Sequence, residues 1–218
     1  MTRRQTGLET ISGKHKGETV IVIGNSASLN RMDLSILDGY TTLGVNRLLR
    51  VYEPNYLLVV DKSVLRDECE RMKQFQDRVT YLIYPGTMGS DGLRMYDGPW
   101  IDTGPMVGCK DPTATSGPID IGKVGNSGYE ACQIAFRMGA ARILIAGIDL
   151  FWPSTADTHC FGSGHEAGCR LHKPEVICES FGEMKRLYAQ CGVELLSISP
   201  WDTPLRRRVG HLDVNSLL

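Results

Sequence analysis

The run Thr19-Val20-Ile21-Val22-Ile23, closed by Gly24, constrains this chain most. Every residue in it is β-branched, and no polar position alternates with the apolar ones. A strand with one face in water shows such alternation; a strand covered on both faces does not. The run therefore predicts a parallel sheet with helices on both sides. Further segments repeat the pattern: Thr41-Thr42-Leu43-Gly44-Val45, Tyr56 to Val60, Val79 to Tyr84, Arg142 to Ala146 and Val193 to Ile198. Between them, helical spacing is expected from Leu29 to Leu37, Ser63 to Phe75, Ser127 to Met138 and Pro174 to about Cys191. Gly139 is placed to stop the third of these, and Pro174 to start the fourth.

Alternating strands and helices make βαβ units with right-handed crossovers. The fold class is α/β: one doubly wound, mostly parallel, Rossmann-like sheet. The expected organisation is a single donor-binding domain over residues 1–218. Two irregular stretches, about 85–123 and 150–173, lack a sustained period and are read as lid segments.

Composition removes several classes of function. With 218 residues, 42% hydrophobic and 22% charged, the chain has enough apolar content for a core. A formal net charge of -1 gives no global basic field for nucleic acid or an anionic membrane. The clusters Arg3-Arg4, Lys14-His15-Lys16 and Arg206-Arg207-Arg208 read as solvated ends, as do His15 and His211. The seven cysteines are scattered without a Cys-x-x-Cys pair, which suits reduced, mostly buried thiols of a cytoplasmic protein. No signal-peptide stretch or integral membrane segment is expected, while peripheral attachment stays open. Oligomerisation is also left open.

Ligands of doubly wound sheets bind beyond the C-terminal strand ends, so the residues there matter most. Gly24-Asn25-Ser26-Ala27-Ser28-Leu29 follows the first strand: Gly24 permits a tight turn or close backbone approach, and Ser28 is positioned to cap the next helix. The amides of such a turn suit a phosphate. Neither the dinucleotide fingerprint nor the P-loop lysine is present. Asn46 offers a donor and an acceptor to a base or ribose, and Arg47 a guanidinium to a phosphate. Asp61 is read first as a helix cap. Gly125-Asn126-Ser127-Gly128 opens a helix with Ser127 as its expected cap. Gly147-Ile148-Asp149 closes a strand, with Asp149 able to orient a sugar or pair with a basic residue.

In order and spacing, Gly24-Asn25-Ser26-Ala27-Ser28-Leu29, Val45-Asn46-Arg47, Asn126-Ser127-Gly128 and Gly147-Ile148-Asp149-Leu150-Phe151 resemble the family-42 glycosyltransferases. These are bacterial sialyltransferases that use a CMP-sugar donor. Their motifs run Gly-Asn-Gly-Pro-Ser-Leu, Cys-Asn-Gln, Thr-Ser-Gly and Gly-Ile-Asp-Phe-Tyr. Related domains occur in flagellin-modifying Maf proteins and in 6-hydroxymethylpterin diphosphokinases. The resemblance spans roughly Thr19 to Ser199. It implies a metal-independent transfer of sugar from a nucleotide-sugar donor to a hydroxyl acceptor, with no cofactor beyond that donor. Carried over by position, Asn25 and Asn46 would contact the cytidine, and Ser127 and Gly128 its phosphate or ribose. With the strand-end residues read above, the expected donor contacts are Gly24, Asn25, Ser26, Ser28, Asn46, Arg47, Ser127, Gly128, Gly147 and Asp149. His172 and Asn46 are the implied catalytic residues, His172 as general base. Ser26-Ala27 stands where the family has Gly-Pro, and Phe151-Trp152 stands for Phe-Tyr. Leaving-group assistance then falls to Tyr129, Arg47 or His159.

Two other readings accompany this one. A pterin-type diphosphokinase would use ATP and Mg²⁺, with Asp61, Asp149 and Asp157 as its carboxylates. A nucleotide-binding module would do no chemistry. Between residues 150 and 173, the spacing of His159, Cys160, His165 and Cys169 also offers a minor zinc reading. A lid, with Phe151, Trp152 and Phe161 covering the ligand, is the preferred one. The acceptor is undetermined: glycan, small molecule, protein or modified DNA base.

Overall fold

The computed structural model describes residues 5–84, 96, 98–107, 111–120, 122, 125–151, 158–162 and 173–218. Five of the six predicted strands keep their places as the sheet's centre: β2 (Thr19–Ile23), β3 (Thr41–Val45), β4 (Tyr56–Val59), β5 (Thr80–Ile83) and β9 (Arg142–Ala146). The sixth, β10 (Glu194–Ser197), forms one edge. At the other edge β6 (Trp100–Asp102) pairs with β1 (Gln5–Gly7), giving an 8-stranded sheet in the order β1-β6-β5-β4-β3-β2-β9-β10. All of its pairings are parallel. A two-stranded ribbon pairs β7 (Met106–Val107) with β8 (Ile119–Asp120). Strands β1, β6, β7 and β8 were not anticipated. Each is two or three residues long and held by its partner rather than by its own apolar pattern.

The period of two along each strand divides the core. Val20 and Val22 of β2 face a layer formed by α2 (Ser127–Arg137), α3 (Pro174–Gln190) and the short α4 (Pro204–Val209). Ile21 and Ile23 face α1 (Lys62–Phe75) and the 3-10 turns. Both strand faces are covered, as the β-branched run demanded. The α1 helix begins where Asp61 accepts from the Ser63 N–H at 2.7 Å, so the capping role holds. It buries Val64, Leu65, Glu68 and Met72 on one face. Gly139 follows α2 at φ +89°, and Pro174 starts α3, both as expected.

Three expectations need correction. Leu29 to Leu37 is not one helix but two 3-10 segments, Ala27–Arg31 and Leu34–Gly39, broken at Met32-Asp33 where Asp33 caps the second. The basic end is not wholly solvated: Arg207 and Arg208 are exposed, but Arg206 is half-buried and donates to the Ser199 carbonyl at 3.3 Å, in a short helix, α4, capped by Thr203 with Leu205 and Val209 buried. His15 is not solvated: its ring bonds Glu18 at 2.8 Å and the Tyr56 hydroxyl at 2.9 Å. Of the five described cysteines, Cys132, Cys160 and Cys178 are buried, Cys69 is half-buried and Cys191 exposed. No described helix is long and apolar enough to cross a membrane.

From β2 the chain winds outward through β3, β4, β5 and β6, then returns to the other side of β2 as β9 and β10. The winding direction thus changes between β2 and β9. Ligands of doubly wound sheets collect beyond the strand ends at such a switch point.

Candidate active site

A crevice of about 770 Å³ opens there, a size typical of small-ligand sites. Its walls are strand ends. Gly24, Asn25 and Ser26 come from β2, Val45 and Asn46 from β3, Val60, Asp61 and Lys62 from β4, Tyr84 from β5 and Gly147, Ile148 and Leu150 from β9. The first turn of α2 adds Gly125 to Gly128 and Glu130, and Met106, Thr158 and His159 complete the rim.

The turns are tied to one another by hydrogen bonds. The Gly24 N–H donates to the Ala146 carbonyl at 2.8 Å, and the Ser26 N–H to that of Gly147 at 2.9 Å. Side-chain Nδ2 of Asn25 donates to the Val45 carbonyl at 2.9 Å, linking β2 to β3. Asn46 sits in the left-handed region at φ 52°, where asparagine is among the few non-glycine residues found. From there its Nδ2 donates to Ser127 Oγ at 3.3 Å, and its Oδ1 accepts from the Val60 N–H at 3.4 Å. One side chain therefore joins β3, β4 and α2. The Asn25 carbonyl accepts from the Cys160 N–H at 2.8 Å, which fixes the segment Thr158–Gly162 at the rim. In that segment His159 stacks on Phe161, and the Arg50 guanidinium lies 5.0 Å from the centre of the Phe161 ring.

Gly24, Asn25, Ser26, Asn46, Ser127, Gly128 and Gly147 thus share one crevice. Several expected roles change in detail. The close approach at Gly24 is to protein, not ligand: a Cβ there would run into the Gly147 carbonyl. Asn126 caps α2 in place of Ser127, its Oδ1 accepting from the Gly128 and Tyr129 N–H groups, both at 3.1 Å. Ser127 is left facing Asn46. Ser28 caps nothing; it is fully buried and donates to Asp149 Oδ1 at 2.9 Å. Asp149 is fully buried too and accepts a second bond from Ser199 Oγ at 2.9 Å. Burial raises its pKa while the Ser28 and Ser199 hydroxyls pull it down. In this segment Gly147 and Ile148 line the crevice and Asp149 does not. Arg47 is likewise turned away, donating to Asp67 at 2.6 Å and lying 3.7 Å from Glu68. Of the three candidates for leaving-group assistance, the Tyr129 hydroxyl is held towards Asp120 at 3.4 Å and Arg47 is held by α1, so only His159 lines the crevice.

Sequence reasoning missed Glu130. It lies in the crevice wall, only 4% exposed, and its Oε2 is buried without a hydrogen-bond partner. Burial pushes this carboxyl up to about 7, against the opposing pull of the Asn126 N–H. Asn25 Oδ1 is a second buried oxygen in the crevice without a partner. Burial also raises the Cys160 thiol to about 11, which disfavours the thiolate that metal binding needs. Among the described residues no three metal-ligating side chains cluster. His172, His165, Cys169, Asp157 and Trp152 lie outside the described residues.

This architecture has solved counterparts. The chain superposes on the sialyltransferase CstII from Campylobacter jejuni in complex with cytidine-5'-monophosphate, with a TM-score of 0.60 at 14% identity, over 91% of this chain and 86% of that one. A second CstII structure, with CMP-3FNeuAc, matches at 0.52 and 11% identity, over 88% and 84% of the two chains. The MAf glycosyltransferase from Magnetospirillum magneticum AMB-1 matches at 0.57 and 10% identity, over 98% of this chain but 38% of that larger one. The fold is that of these glycosyltransferases. No protein-family model and no curated protein matches the sequence.

Proposed function

We propose that this chain transfers a sugar from a CMP-sugar-like donor to a hydroxyl acceptor. The observation that carries the reading is the meeting of Asn25, Asn46 and Ser127 in one switch-point crevice. The sheet that builds it is shared with a sialyltransferase solved with a cytidine nucleotide. In this proposal the polar groups of Asn25, Asn46 and Ser127 hold the nucleotide, and His159 lies beside the departing phosphate. His172, which directly precedes Lys173 at the start of α3, is the proposed general base. The acceptor oxygen forms its bond to the anomeric carbon, His172 takes the hydroxyl proton, and the bond to the nucleotide phosphate breaks. The reaction needs no metal in this scheme.

The diphosphokinase reading loses support from the placement of its carboxylates. Asp61 lines the crevice, whereas Asp149 is enclosed by Ser28 and Ser199.

A thermal-shift comparison of CMP, CDP, UDP, GDP and ATP derivatives tests the donor class. Stabilisation by CMP and CMP-sugars above the others is expected; a preference for ATP with Mg²⁺ would overturn the proposal. Release of CMP from a CMP-sugar should vanish in His172→Ala while CMP affinity stays nearly unchanged. An equal loss of both would remove His172 as the base.

A further inference from the structure

Glu130 has no role in the scheme above, yet among the described residues it is the one wall carboxyl with a buried, unpartnered oxygen. It sits on the first turn of α2, an 11-residue helix buried on nearly every side. A phosphate in this crevice would find little positive charge to meet it. Asn126 already occupies the Gly128 and Tyr129 N–H groups, and among the described wall residues Lys62 is the single ammonium or guanidinium. An ionised Glu130 would add a second negative charge in a poorly solvated place. A protonated one would remove that charge and offer an O–H donor to the phosphate instead.

We propose that Glu130 contacts the phosphate of the bound nucleotide as a neutral carboxylic acid, so that nucleotide binding takes up a proton. The proposal rests on the donor reading above. The proton comes from solvent and stays on the carboxyl, with the phosphate oxygen accepting the hydrogen bond. A carboxyl already raised to about 7 by burial needs little further shift to hold its proton in the complex.

Other titratable groups lie near this one among the described residues: α2 itself carries Tyr129, Cys132 and Arg137, and α3, whose Phe181 and Tyr188 rings meet Tyr129 and Phe136, carries Tyr188. The crevice brings Asp61, Lys62, Tyr84 and His159. Of the strands packed on α2, β2 and β3 carry no ionisable side chain, β8 carries Asp120, and β4 and β9 carry Tyr56 and Arg142 at their far ends. The phosphate itself ionises near pH 6. All of these are common to the natural chain and to Glu130→Gln, so the difference between the two isolates Glu130.

The test is calorimetric titration with CMP, and with cytidine as the phosphate-free probe, between pH 6.5 and 9 in two buffers of different ionisation enthalpy. The natural chain should take up close to one proton per CMP at pH 8, and its affinity should fall by up to about tenfold per pH unit above 7. Glu130→Gln should lose that uptake and the fall in CMP affinity above pH 7, and cytidine should show no Glu130-dependent uptake. The proton count on the natural chain needs no variant, and its absence at pH 8 would overturn the proposal. Identical uptake in Glu130→Gln, or equal uptake with cytidine, would overturn it as well. CMP binding without Glu130-dependent uptake would remove this inference alone; no CMP binding at all would remove the donor reading and this inference together.

Discussion

The end of β9 and the start of α2 each bury a carboxyl with one unpartnered oxygen, and the two could hardly be used more differently. Asp149 is enclosed: Ser28 and Ser199 both donate to its Oδ1, and the Asp149 N–H itself donates to Ser26 Oγ at 3.2 Å. Its bonds tie the first turn after β2 to the ends of β9 and β10. Glu130 has no such serines and lies in the wall of the crevice. The acid inside the recognisable Gly-Ile-Asp motif therefore builds the site, and the acid outside every motif faces the space where a ligand would sit.

Removing Asp149 should have the largest effect on stability. Asp149→Ala strands two buried hydroxyls and opens a void, a loss of roughly 3 kcal/mol. Urea melts measure it; a loss under about 1 kcal/mol would break the contrast.

Glu130 should behave in the opposite sense. Folding raises its pKa to about 7 from an ordinary 4.5, so the folded chain holds the proton more tightly than the unfolded one. That advantage is complete below pH 4.5 and is lost as pH rises through 7. Glu130→Gln has no proton to lose, so at pH 8 it should be more stable than the natural chain by up to about 3 kcal/mol, with little gain at pH 4. Asp149 is also raised, from 3.8, so it lowers stability with rising pH in the same sense. It does so equally in both proteins. Parallel pH–stability curves for the two would contradict the assignment.

Smaller effects separate the crevice from its surroundings. Asn46→Ala removes the link to Ser127 and the Val60 N–H and should weaken CMP binding about tenfold. Arg47→Ala should change CMP affinity less than twofold, because its guanidinium is committed to Asp67. A loss equal to that of Asn46→Ala would return Arg47 to the phosphate.

The core strands and the crevice residues Gly24, Asn25, Ser26, Asn46, Ser127, Gly128 and Gly147 were legible in the sequence, because buried parallel strands and strand-end turns both leave local patterns. The direction of a side chain leaves none. Arg47 follows Asn46 directly, yet one faces the crevice and the other α1. Ser28 and Asp149 read as ligand contacts because their partners for each other lie 121 residues apart. The short strands β1, β6, β7 and β8 exist through pairing that no local period records. Glu130 left one trace, a lone acid at the start of a helix of otherwise mostly apolar and small residues, and its meaning required knowing that the helix is buried almost all round.

The central claim is that one crevice at the ends of β2, β3 and β9 and the start of α2 receives a cytidine nucleotide. Backbone amide NMR during titration with CMP tests it most directly. The account predicts saturable shifts clustered at Gly24 to Ser26, Asn46, Ser127 to Glu130 and Gly147. Shifts confined to the separate cavity beside Gly104 and Arg137, or none at all at millimolar CMP, would contradict it.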